Sequence, residues 1–242
     1  MATLDAYLGL QSSSATPECA ATSQEIRDRG SIFIANILPA NTVKEARAAI
    51  SHVRNVIHGS KPATHEVSAW RCMVLKPGHT GLGGPDDFDL KSGSEDDGEQ
   101  HAGAKVLKVM QDEGIIDAVV VVSRWYGGVM LGPVRFTHFE TCTREVCRAF
   151  RLTEEMAALV STLSSLDDIL ATLRAEYPLI ISKDSSQPGT SSSERRTPDY
   201  SALKQSLDIS KVKRLIAARE NSIKTVKNAL REKRESTVTT SG

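Results

Sequence analysis

Two stretches of this chain concentrate side chains that could do chemistry. The first, SRWYGGVMLGPVRF, runs from Ser123 to Phe136 and follows the apolar run DAVVVV. At the end of a buried strand successive side chains leave by opposite faces, so Arg124 and Tyr126 share one face and Trp125 takes the other. Gly127 and Gly128 permit positive φ and close approach by another group. Gly132-Pro133 marks a helix start whose first free amides would be those of Val134 and Arg135. A strand end, a glycine loop and a helix N-terminus with two arginines read as a corner for an anion or a nucleic acid. Arg124, Tyr126, Gly127, Gly128, Gly132 and Arg135 are its candidate residues. The same spacing also fits a tight strand-to-helix connection with Arg124 paired internally.

The second stretch is SGSEDDGEQHAGA. From Asp86 to His101 there are seven acidic residues and one lysine. Asp96, Asp97 and Glu99 around Gly98 allow three chemistries: oxygen ligation of Mg²⁺, pairing with Arg124, or capping of the next helix, where negative charge is favoured. The order D-D-G-E does not match an EF-hand, and capping with a salt bridge is the expectation. The four cysteines (Cys19, Cys72, Cys142, Cys147) have no C-x-x-C spacing and the six histidines form no cluster. They are expected to be reduced, with Cys72 in the core, and no metal or cofactor is expected. G-x-x-x-x-G-K-[ST], G-x-G-x-x-G after a strand, G-x-S-x-G and H-E-x-x-H are all missing, which points away from an enzyme.

These stretches need elements to position them. Residues 1–24 are rich in Ser, Thr and Ala and are expected to be a disordered lead-in. Strands are expected at Gly30–Ile37, Glu66–Leu75 and the DAVVVVSRWY segment, the last central and covered on both faces. A helix capped by Asn41 or Thr42 carries Val43, Ala46, Ala49, Ile50, Val53 and Ile57 at helical spacing. A second, in EQHAGAKVLKVMQDEGI, turns Ala104, Leu107, Val109 and Met110 inward and ends at Gly114; a third follows Pro133. Lys76–Gly98 holds six glycines and two prolines and reads as a long loop with a short strand near Phe88–Leu90. Residues 25–150 thus form an α+β domain, a two-layer α/β sandwich, because strand–helix repeats are too few for a doubly wound sheet.

Beyond the domain come a helical extension over 151–181 ending before Pro178, a Ser/Pro-rich linker over 182–199, and a basic amphipathic helix and tail over 200–242. Tyr200–Glu235 has ten Lys/Arg against four Asp/Glu. Val212, Ile216, Ile223, Val226 and Leu230 fall near a 4-3 spacing, fit for a coiled coil or a groove; a basic helix contacting RNA or the ribosome, or a solvated charged helix, fits too. The 242 residues carry 30 basic and 30 acidic side chains, so net charge gives no argument for nucleic acid or membrane. No run of eighteen apolar residues and no signal-like start are present, and a cytoplasmic protein is expected.

SEDDGEQHAG (Ser94–Gly103) and VVVSRWYGGVMLGPVRF (Val120–Phe136) together resemble the Impact family, over about residues 25–150. The form L-G-P-x-R-F-x-H, Leu131–His138, is similar to the eukaryotic branch. The resemblance implies a fold like the second domain of ribosomal protein S5 and a non-enzymatic role in translational control. Eukaryotic members restrain the starvation-responsive kinase of initiation factor 2, as repressors within a stress response. Ribosome and actin association, and nucleic-acid binding by a basic cleft in bacterial relatives, are further implications. Those members carry an N-terminal RWD domain for the kinase-activator contact, whereas here only some 25 residues precede the first strand. A protein partner in translation is therefore the first expectation. RNA binding through the glycine-loop corner is the alternative, and a Mg²⁺-dependent phosphate-handling enzyme is the third reading.

Overall fold

A computed structural model describes residues 17–181 and 198–239. The chain forms two compact units, Met1–Arg151 and Leu152–Gly242.

The first unit is an antiparallel sheet of β1 (Ala21–Thr22), β2 (Ile26–Asp28), β3 (Ser31–Pro39), β4 (His65–Leu75), β5 (Phe88–Glu95) and β6 (Ala118–Trp125). The spatial order is β1, β3, β6, β4, β5, with β2 also pairing with β3. The valine run makes β6 central, and its side chains alternate between two cores. Val120 and Val122 join Phe33, Ile37 and Val67 beneath α2 (Ala102–Asp112) and the beginning of α3 (Val134–Ile181). Val119 and Val121 join Leu38, Trp70 and Cys72 beneath α1 (Val43–His52). The α+β class and the helical extension agree with the sequence. Strand alternation gives both faces of the sheet apolar residues, and helices cover them.

Several elements depart from expectation. The expected lead-in overlaps the sheet, since Ala21 pairs with Ile37 and Thr22 with Asn36; residues 1–16 lie outside the described residues. The short strand expected near Phe88–Leu90 is longer, since Phe88–Glu95 pairs residue for residue with Ser68–Leu75. Its composition reflects an edge, where charged and polar side chains face water, and Gly93 makes room for an aromatic ring. A Cβ at Gly93 would lie 2.4 Å from Cζ2 of Trp70. Ala104 is exposed while Ala102, Gly103 and Val106 are buried, so α2 is rotated from the expected inward face. Ile57 is 37% exposed because α1 widens into a π-helical turn over Val53–Ile57, which shifts the phase of its apolar stripe.

Thr42, rather than Asn41, caps α1. Its hydroxyl accepts from the Glu45 amide at 3.1 Å, and the Glu45 carboxylate accepts from the Asn41 amide at 2.9 Å. This reciprocal arrangement satisfies two donors at the helix start. Thr42→Ala is expected to lower stability by about 1 kcal/mol, read from the urea midpoint at unchanged slope.

In the second unit α3 continues to Ile181, and α4 (Ser201–Ser206) and α5 (Ile209–Thr239) follow. The helix runs on through Pro178, where a proline in the last turn removes a single ladder bond. Residues 182–197, most of the expected linker, are outside the described residues. Met156, Val160, Leu163 and Val212 form a core flanked by Leu159, Tyr200, Leu203, Ile209, Leu215 and Ile216. The apolar stripe of the basic tail therefore finds its groove on its own chain. Its charge is answered there as well. Residues 152–176 hold five acidic residues and one arginine, and Lys213 pairs with Glu155, Arg219 with Asp167 and Arg234 with Glu176. By length and an eighteen-residue window of mean hydropathy 1.3, Val134–Glu176 is apolar enough to cross a membrane. Its apolar side chains, however, fill the two cores: Phe139, Cys142, Val146 and Phe150 in one, and Met156, Val160 and Leu163 in the other.

Candidate binding cleft

Three elements of the first unit meet where β6 ends. Gly127 passes close to the β2–β3 turn: a Cβ there would lie 2.0 Å from the Gly30 carbonyl carbon and 2.3 Å from the Ser31 amide nitrogen. Gly128 (φ 84°) and Gly132 (φ 63°) take positive φ, which glycine adopts without strain. Between them the loop exposes Val129 and, more fully, Met130. As expected from strand alternation, the two sides of β6 diverge. Trp125 packs edge-on against His58, while the Arg124 guanidinium lies 5.4 Å from both the Phe33 and Tyr126 rings.

Arg124 is 4% exposed and is ion-paired with Glu99, itself 5% exposed. Arg135, at the start of α3, brings its Nε within 2.8 Å of Glu99 Oε2. One buried carboxylate thus answers two guanidiniums. The acidic loop divides its labour around this pair. The Asp96 carboxylate accepts from the His101 and Gly103 amides at 2.8 Å each and caps α2. The Asp97 carboxylate accepts from the Glu66 amide at 2.7 Å and lies 3.5 Å from Arg54 Nη2. The Asp97 carbonyl lies 2.8 Å from His65 Nδ1. Gly98 (φ 89°) packs under that imidazole, where a Cβ would lie 3.0 Å from Nδ1. The three carboxylates do not converge on a point, and among the described residues no group of three His, Cys, Asp or Glu could hold a metal ion.

Thr64, His65, Gly98, Glu99, Arg124, Tyr126, Met130, Leu131, Gly132 and Arg135 line an open cleft of about 380 Å³. Its backbone donors are mostly taken by the protein's own oxygens. The Tyr126 amide donates to Thr64 Oγ1 at 3.0 Å, and the Gly127 amide to Ser31 Oγ at 3.2 Å. The Arg135 amide points to the Gly132 carbonyl at 3.4 Å. The Tyr126, Gly127 and Arg135 amides of the expected anion corner are therefore engaged within the protein, and arginine side chains supply the positive charge of the cleft. The sequence stretches meet here through Glu99, Arg124 and Arg135. Thr64 and His65 carry no local signal of their place here, because only the β4–β6 register, which sets His65 opposite Arg124, brings them in.

Next to the cleft, His138 Nε2 lies 2.8 Å from Asp28 Oδ2, and Arg29 Nε donates to Asp28 Oδ1 at 3.1 Å. The hydrogen bond from Arg29, then that from His138, holds the Asp28 carboxyl below its ordinary range. A carboxylate depressed in this way stabilises the fold above its unfolded value near 4, and that contribution is lost as pH falls through the folded value. Asp28→Asn is accordingly expected to lower stability at neutral pH, with the gap to wild type closing below about pH 4. Urea titrations at each pH measure it. Elsewhere burial pushes the Cys72 and Cys142 thiols up to about 11 and that of Cys147 up to about 12, so all three are inert in the core.

An antiparallel sheet under helices, with a D-D-G-E loop ion-paired to a glycine-rich strand end, defines a small α+β domain. Residues 29–147 match the model of the Impact N-terminal domain. Protein IMPACT of Oryctolagus cuniculus is 35% identical over 121 residues, 50% of this chain and 35% of that protein. Protein IMPACT of Bos taurus is 36% identical over 122 residues, 50% of this chain and 35% of its own length. The matched part thus spans about a third of these relatives. Among solved structures, a hypothetical protein shares 27% identity at a TM-score of 0.42, over 54% of this chain and 58% of its own. The two-domain translational regulator Yih1 shares 33% identity at a TM-score of 0.35, over 53% of this chain and 46% of its own.

Proposed function

We propose that the protein is a non-enzymatic, cytosolic regulator of translation that works by binding a protein partner through the Glu99–Arg124–Arg135 cleft. The match of residues 29–147 to the Impact N-terminal domain supports the translational role. The observation that carries the binding mode is the cleft itself, where buried charges are locked in place beside an exposed apolar lip formed by Tyr126, Val129 and Met130. Restraint of the starvation-responsive initiation factor 2 kinase is the process to examine first, with the ribosome and actin as candidate contacts. In starved cells lacking the protein, initiation factor 2 phosphorylation is expected to change, and the protein is expected to cosediment with ribosomes or their associated factors. Unchanged phosphorylation together with no cosedimentation contradicts the proposal.

RNA binding is the second reading, favoured by Arg124 and Arg135 in one cleft. It is weakened by Glu99 between them and by the acidic partners of the basic tail. RNA affinity that falls steeply with salt and is lost in the Arg135→Ala variant would favour it.

A further inference from the structure

The charges and donors of the cleft narrow the partner's chemistry. Arg124 and Arg135 each present several N–H donors in a fixed fork, yet Glu99 is the one carboxylate paired with them among the described residues. Counting Glu99 against the two arginines, the cleft keeps a surplus positive charge. Arg124 is a nine-tenths buried cation lining the cleft, and its Nε has no hydrogen-bond partner among the described residues. Buried donors left unpaired cost free energy that an incoming acceptor recovers.

Three features say which acceptor. The surplus is one charge, which matches a single carboxylate and not the run of phosphates that nucleic-acid affinity requires. The Tyr126 and Gly127 amides are engaged internally, so these two donors are not free for a chain terminus or a phosphate. Tyr126, Met130 and Leu131 supply apolar walls, with Met130 78% exposed, and a flexible thioether suits aliphatic neighbours of varied shape.

Resting on the protein-binding reading above, we propose that the cleft docks an extended peptide segment, with an internal aspartate or glutamate side chain against Arg135 and Arg124. The aliphatic residues flanking that carboxylate lie on Tyr126 and Met130. The carboxylate accepts from the guanidiniums in the geometry that makes arginine–carboxylate pairs strong.

The test uses the whole chain and an array of blocked peptides, each with one Asp or Glu between aliphatic residues and each paired with its Asn or Gln isostere. The acidic member is expected to bind about tenfold or more tightly than its amide twin, as expected for a charge-assisted hydrogen bond. NMR titration with the best pair is expected to shift the resonances of Tyr126–Arg135 and His65 for the acidic peptide alone. Arg135→Met, a partly exposed position that leaves Glu99 paired with Arg124, is expected to erase the preference at an unchanged urea midpoint. Equal binding of acid and amide, no binding by either, shifts confined elsewhere, or displacement of the cleft resonances by a short oligouridylate alone would each overturn the proposal. If peptides fail to bind while loss of the protein still alters initiation factor 2 phosphorylation, the peptide chemistry falls and the regulatory reading stands. Peptide binding without any effect on translation does the reverse: the peptide chemistry stands and the regulatory reading falls.

Discussion

Changing Glu99 to glutamine is expected to destabilise the first unit by about 3–5 kcal/mol, the usual consequence of removing one partner of a buried ion pair. Glutamine keeps the shape of the side chain, so the loss is electrostatic. Arg124 is left charged and 4% exposed with no counter-charge, and Arg135 Nε loses the oxygen 2.8 Å away. Arginine cannot neutralise itself by losing a proton in this range, so the folded state bears the whole cost. The double variant Glu99→Gln, Arg124→Met is expected to recover most of the loss, because an apolar side chain of similar volume in place of a buried cation is often neutral. Urea denaturation of the wild type, both single variants and the double variant measures this coupling. A Glu99→Gln variant within about 1 kcal/mol of wild type would show that the ion pair does not organise the cleft.

Gly127→Ala is the second large effect, expected at or above the upper end of the range of about 1–3 kcal/mol for overpacking. The neighbours of the missing Cβ are backbone atoms of Gly30 and Ser31, at 2.0 and 2.3 Å. A flexible side chain could swing aside, whereas a turn paired into the sheet cannot. The loop must therefore lift, breaking the Gly127 amide bond to Ser31 Oγ and displacing the Tyr126–Met130 lip. Gly78→Ala serves as the comparison, because that glycine has positive φ (82°), which Gly127 does not, while an added Cβ there meets nothing within 4 Å. Gly78→Ala is expected to cost only the strain of its φ, about 1–2 kcal/mol. Equal losses in the two variants would mean that close approach is not why glycine stands at position 127.

Much of this was legible in the residues. Four successive valines could belong only to a strand covered on both sides, and β6 is that strand. The spacing from Thr42 onward marked a helix, its capping hydroxyl and three of its buried positions. The two charged stretches announced a site, and their pairing through Glu99 follows from opposite charges on neighbouring elements. What escaped was information held in register. Nothing local in Thr64-His65 places them beside Arg124; the β4–β6 ladder does. The glycine-rich composition of Lys76–Gly98 concealed the full length of an edge strand, because Gly93 is small for the Trp70 ring on β4 and not for a turn. The anion corner looked more open than it is because sequence does not show which side-chain oxygens reach the amides after a strand end. Ser31 on β3 and Thr64 just before β4 take the Gly127 and Tyr126 amides. The basic tail likewise looked like a ligand for something else until the acidic face of the preceding helix supplied its partner.

The central claim is that Arg135, held beside a locked Glu99–Arg124 pair, engages a protein partner that regulates translation. Starved cells lacking the protein, complemented with either wild type or Arg135→Met at matched expression, provide the most direct test through initiation factor 2 phosphorylation. The account predicts that wild type restores the normal level and that Arg135→Met, with an unchanged urea midpoint, does not. Full restoration by Arg135→Met would contradict it.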